Sequence, residues 1–106
     1  MSAVSRKEQI QEMLAADPND SFLRYGLAME YVSAGQDEEA VGCLRELLAR
    51  DPDYVPGYLQ AGRALMRLGE DKPACEILRT GIAVANRKGD GHAAGEMTGF
   101  LESLAE

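Results

Sequence analysis

Two arginines four residues apart, Arg63 and Arg67, are the sharpest chemical feature of this 106-residue sequence. On a helix, that spacing puts both guanidiniums on one face, where like charges repel slightly. Such a pair suits a carboxylate or an acidic peptide, because a planar guanidinium can make two parallel hydrogen bonds to two oxygens. Gln60 falls on the same side, with Met66 beside it. The plainer account is neutralisation within the chain, by Glu30 on a neighbouring helix or by acids near the C-terminus. His92 and Glu96 also stand four apart, a spacing that can place two ligands on one metal. Two ligands do not close a site and no second cluster accompanies them, so a surface pair is expected rather than a metal. Cys43 and Cys75 lack both CxxC spacing and a neighbouring base, so packed or half-exposed thiols in a reducing compartment are expected. Gly89-Asp90-Gly91 reads as a turn between helices, not as a phosphate loop. Catalysis needs a pocket of perturbed titratable groups. With one His and no Trp, the sequence suggests none, and neither an enzyme nor a cofactor is expected.

Composition narrows the partners. Eleven basic and 18 acidic residues give a net charge of −7, whereas a binder of nucleic-acid backbone carries a basic surplus. The charge is uneven. Residues 54 to 89 hold six basic and three acidic side chains, a local +3, between stretches that are each acidic. Neither a ~20-residue apolar span nor a signal-peptide core is present. No membrane and no nucleic acid are therefore expected, and the cytoplasm is the expected location.

The elements that carry these residues repeat. A DPND run starts at Asp17 and a DPDY run at Asp51, an offset of 34 residues. In that register Ile10, Leu44 and Leu78 superpose, as do Leu14, Leu48 and Ile82. Ala40 falls on Ala74, Gly35 on Gly69 and Tyr31 on Leu65. Apolar residues recur at three- and four-residue steps in each unit, first through Leu23, Leu27, Ala28 and Tyr31, then through Ala40, Val41, Leu44, Leu47 and Leu48. This is the mark of two amphipathic helices. Gly35 and Gly69 are expected to stop the first helix of each unit in a left-handed turn. Asp37, Asp53 and Asp71 are expected to cap the helices that follow. Asp51-Pro52 ends a second helix, because the residue before proline avoids helical geometry. Pro56 and Pro73 sit in first turns, where proline is tolerated.

The pattern predicts an all-α, antiparallel helix-hairpin solenoid of about six helices. A half unit at 5–16 precedes full repeats at 21–54 and 55–88, and a capping helix at 90–105 closes a single domain, 1–106. The sequence resembles the tetratricopeptide repeat (TPR) family, whose 34-residue pattern is W-x2-L-G-x2-Y, A-x3-F and P. Leu27-Ala28, Tyr31, Ala40, Leu44 and Pro52 supply it in one unit. Tyr58, Ala61-Gly62, Leu65, Ala74 and Leu78 supply it in the next. Arg24 stands in the first Trp place, and Asn86 replaces the second closing Pro.

The resemblance implies a non-enzymatic adaptor that binds a peptide or protein segment in a concave groove lined by the first helix of each unit. The residues left over from the core stripe there include Tyr25, Met29, Gln60, Arg63, Met66 and Arg67, which form the candidate site for a partner of acidic character. Phe22 and Tyr25 could instead pack on the N-terminal half unit, with Met29 filling a seam. The alternative function is a self-associating scaffold, a homodimer formed through an apolar edge around Val4, Ile10 and Met13. Gly26, Gly42, Gly57, Gly81, Gly95 and Gly99 lie in or near helices. An interior glycine costs ~1 kcal/mol against alanine, so a modestly stable domain is expected.

Overall fold

The computed structural model describes residues 4–104. Among them are six helices and no strand: α1 (Arg6–Ala16), α2 (Ser21–Ser33), α3 (Asp37–Arg50), α4 (Val55–Arg67), α5 (Asp71–Arg87) and α6 (Gly91–Ser103). Each packs on its neighbour in sequence, and α4 also packs on α6. The result is elongated, 51 × 28 × 20 Å, as expected when successive helix pairs stack along one axis.

Two kinds of turn alternate. Within each unit the first helix ends in a Schellman motif with glycine in the left-handed region, at Gly35 (φ +74°) and Gly69 (φ +75°). The Gln36 and Glu70 amides donate back to the Tyr31 and Leu65 carbonyls at 2.9 Å, which occupies acceptors that a helix end leaves open. Between units the Asp51-Pro52 step stops α3, with Asp51 as its C-cap.

The expected aspartate caps are displaced by one residue. Gln36 and Glu70 are already used as the last residue of the glycine turn, and the same residues serve as N-caps of α3 and α5, without a side-chain cap. Asp37 and Asp71 therefore become the first helical residues, where a carboxylate still faces the positive end of the helix dipole. Tyr54, not Asp53, is the N-cap of α4. Asp53 instead accepts from the Arg87 guanidinium at 2.7 Å, and that hydrogen bond holds its carboxyl below the ordinary aspartate range. Side-chain caps do form at Ser5, Asp20 and Asp90.

Asn86 has a clear consequence. With no proline to stop it, α5 runs to 17 residues, where α3 has 14. It ends in a third glycine turn at Gly89 (φ +75°), with the Asp90 amide bonded to the Ala85 carbonyl at 2.8 Å. The first helices α2 and α4 start 34 residues apart, whereas α6 starts 36 after α4. The phase slip of the last helix follows from that one missing proline.

The core is apolar throughout. Leu44, Leu47, Leu65, Leu78 and Met97 are its largest fully buried side chains. Glycine decides two of the close approaches. A Cβ on Gly62 would lie 2.5 Å from Leu78 Cδ2, and one on Gly81 would lie 2.5 Å from Tyr58 Cβ and 2.6 Å from Met97 Sδ. Gly81 thus lets α5 sit against α4 and α6 together. Gly42, Gly95 and Gly99 are different, since a Cβ at any of them would meet nothing within 4 Å. At the N-terminal end Ile10 is buried, but Val4, Met13 and Phe22 are 50%, 49% and 74% exposed. Phe22 does not pack on the half unit.

Gly95→Ala and Gly99→Ala should each raise folding stability by up to ~1 kcal/mol, because they restrict the unfolded backbone at sites with room for a methyl group. Gly81→Ala should lower it by about 1–3 kcal/mol through overpacking. Urea denaturation followed by far-ultraviolet circular dichroism reads both signs. A Gly81→Ala protein as stable as its parent would show that the α4–α5–α6 approach can open without cost.

Candidate functional site

The curvature of the stack decides which side is concave. On one side α4 and α6 touch directly. On the other, α3 and α5 line a cleft of about 390 Å³ floored by Tyr58 of α4. The stack thus closes up on the α4–α6 side, which carries Arg63, Met66 and Arg67.

Three of the six candidate residues meet there. Arg63, Met66 and Arg67 of α4 join Phe100 of α6 around a shallow cleft of about 260 Å³. The two arginines have different environments. Arg67 makes a two-oxygen contact with Asp37, at 3.1 Å from Nε to each oxygen and 2.9 Å from Nη2. Its neutralising partner is thus the first residue of α3, not Glu30, which lies 3.6 Å from Arg6. The Arg63 guanidinium stands over the Phe100 ring, 5.7 Å from its centroid. Among the described residues Arg63 makes no ion pair. An aromatic face attracts a cation without neutralising it, so Arg63 keeps a positive charge at the rim of an apolar floor.

The other three candidates lie outside this cleft. Gln60 is half-buried on α4, one turn before Arg63. Tyr25 is half-buried and packs its ring against Tyr54, with centroids 5.5 Å apart and planes tilted by 43°. Met29 is half-buried on α2. The sequence does not mark Phe100 as a site residue: its spacing from Met97 and Leu104 puts it on an apolar stripe and says that it is covered, but only the packing of α6 on α4 says by what.

The remaining chemical candidates stay apart. His92 Nε2 lies 3.4 Å from Glu96 Oε1 on an exposed face of α6. Among the described residues no three His, Cys, Asp or Glu side chains converge. Cys75 is buried and Cys43 half-buried. Burial pushes the Cys43 thiol up from its ordinary value, with a smaller opposing pull from Arg24.

The profile of the family described as tetratricopeptide repeat matches residues 2–59. The TPR repeat-containing protein PA0015 of Pseudomonas aeruginosa is 35% identical over 97 residues, 92% of each chain. This chain belongs to the tetratricopeptide repeat family. Among solved structures it is similar to protein BPP2914 of Bordetella parapertussis, with a TM-score of 0.84, 29% identity and coverage of 97% of this chain and 90% of that one. It also resembles the TPR2B domain of yeast Sti1, solved in complex with pHsp70, with a TM-score of 0.87 and coverage of 93% and 79%. At 19% identity, that second likeness speaks for the fold alone. TPR domains generally mediate protein–protein interaction and are typically non-enzymatic. Among the described residues no helix is long and apolar enough to cross a membrane.

The TPR register also explains Arg24. In the second unit Tyr58 fills the Trp place, and its hydroxyl donates to the Pro52 carbonyl, six residues back, at 2.7 Å. Arg24 occupies the same place one unit earlier, and its Nε donates to the Pro18 carbonyl, again six residues back, at 2.7 Å. Two unlike side chains thus tie the inter-unit turn to the first helix through the same acceptor, one with a phenol hydroxyl and the other with the guanidinium Nε–H.

The Arg67–Asp37 pair is half-exposed on the arginine side, so solvent screens it. A double-mutant cycle with Arg67→Ala and Asp37→Ala should give a coupling of about 0.5–1 kcal/mol that shrinks with salt. A coupling of zero at low salt would remove this pair as a tie between the two units.

Proposed function

We propose that the concave α2–α4–α6 face of this TPR domain binds an acidic protein segment, with Arg63 as the charged contact and Met66, Arg67 and Phe100 as the surrounding wall. The observation that carries this reading is the state of Arg63. Its guanidinium is exposed, lies on an aromatic ring and has no ion-pair partner among the described residues. A carboxylate that reaches it exchanges water on one side only, since the ring already covers the other, and a charge-assisted hydrogen bond is stronger than a neutral one. Met66 adapts its shape to an apolar neighbour. Tyr25, Met29 and Gln60 extend the same face toward the first unit, where the segment would continue. The local +3 of residues 54 to 89 favours acidic over basic segments. The complex of the Sti1 domain with pHsp70 supports protein-segment binding as the class of function.

A second reading has its own observation. Met13 and Phe22, both substantially exposed at the N-terminal end, favour self-association there. Sedimentation over a concentration series separates the two, since the groove reading leaves a monomer unchanged.

An acidic, leucine-containing peptide titrated into labelled protein should shift the resonances of Arg63, Met66 and Phe100. Arg63→Glu should weaken binding by about tenfold or more, the equivalent of ~1.4 kcal/mol. Shifts confined to α3 and α5 with this peptide would overturn the site.

A further inference from the structure

The outer face holds a second cleft, one repeat away from the cleft above Tyr58. Its volume is about 360 Å³, and it is lined by Arg24, Leu27 and Tyr31 of α2 and Glu39, Gly42, Cys43 and Glu46 of α3. In the 34-residue register Glu39, Gly42, Cys43 and Glu46 correspond to Pro73, Glu76, Ile77 and Thr80, which line the other cleft. The two clefts thus share four register positions of a second helix, filled with different chemistry.

Gly42 is the feature that folding does not explain. It sits in the interior of α3 with ordinary helical backbone, and apart from its chain neighbours and the backbone of its own helix nothing described lies within 4 Å of where its Cβ would be. A glycine there costs ~1 kcal/mol of helix stability against alanine, and neither a turn nor a close approach within the chain requires it. Its structural effect is to leave this cleft wall bare.

The lining has a definite chemistry. Leu27, Tyr31, Gly42 and Cys43 give an apolar wall, and the exposed carboxylates Glu39 and Glu46 stand two turns apart along α3. Glu39 makes no ion pair among the described residues, and Glu46 shares its charge with Arg50 at 2.8 Å. The cation in the lining, Arg24, has its Nε on the Pro18 carbonyl. Lys7 lies over the Tyr31 ring, 5.2 Å from its centroid. Of the two carboxylates in the lining, Glu39 is the one without an ion pair among the described residues, and it lies within a stretch, residues 21 to 53, of net charge −4.

We infer that this outer cleft between α2 and α3 is a docking site for a basic apolar protein segment, one that presents an arginine or lysine stem across Gly42 to Glu39 and Glu46. The stem of such a side chain covers apolar surface while its head reaches the carboxylates. The charge preference is opposite to that of the concave face, so the domain can hold two unlike segments at once.

Cys43 lies in the cleft and reports on it. The probe is an acetylated, amidated peptide of alternating leucine and arginine, with its leucine–glutamate counterpart as control. Alkylation of Cys43 by iodoacetamide is followed by peptide mapping, which separates it from Cys75. The basic peptide should slow Cys43 alkylation about fivefold at a concentration about four times its dissociation constant, since protection scales as one plus that ratio. Gly42→Ala should raise the melting temperature yet lose the protection, and Glu39→Gln/Glu46→Gln should lose it with the fold intact. Arg63→Glu should leave it unchanged, which separates this site from the concave one. Equal protection by the acidic peptide, full protection in Gly42→Ala, or no protection of the parent protein would each overturn the assignment.

Discussion

The close approach of α4, α5 and α6 around Gly62 and Gly81 is the contact on which the rest of the structure depends. A helix hairpin of this length cannot bury both its faces, so each pair must lean on the next. That is possible only where backbones come near enough for Leu78 to lie over Gly62 and for Tyr58 and Met97 to lie over Gly81. The same approach brings α6 onto α4 and sets Phe100 beneath Arg63. The inner cleft is therefore a by-product of core packing, formed where one helix was brought close for another reason.

Electrostatics then divides what the core leaves exposed. Arg67 and Arg63 are one helical turn apart and identical in type, yet their environments have opposite character. Arg67 reaches the start of α3 and is neutralised by Asp37. Arg63 points along the seam with α6 and meets an aromatic ring. A pair that would repel in isolation is thus reduced to a single uncompensated charge. On the outer face the balance is reversed, with Glu39 left without an ion pair among the described residues beside the bare wall at Gly42. A net charge of −7 thus hides an uneven distribution of charge over the surface.

Much of the fold was legible in the sequence because its signals are local. The 34-residue offset, the three- and four-residue apolar steps, and glycine or Asp-Pro at the turns each depend on neighbouring residues only. The caps were misplaced by one residue for an equally local reason. Gln36 and Glu70 each serve two turns at once, and nothing in the residue types forbade the aspartates from that role. Of the candidate site, Arg63, Met66 and Arg67 could be placed on one helix face. Phe100, Asp37 and Tyr54 could not be matched to their partners, because those contacts join residues about 30 or more positions apart.

The sequence by itself determined the repeat, the helices, the family and the uneven charge, since each follows from the type and spacing of residues along the chain. The tertiary structure decided which arginine is neutralised, which glycines are required by packing and which are not, and where the clefts open. Those outcomes turn on distances of a few ångströms between elements, set by how Leu78, Tyr58 and Met97 seat against glycine backbone.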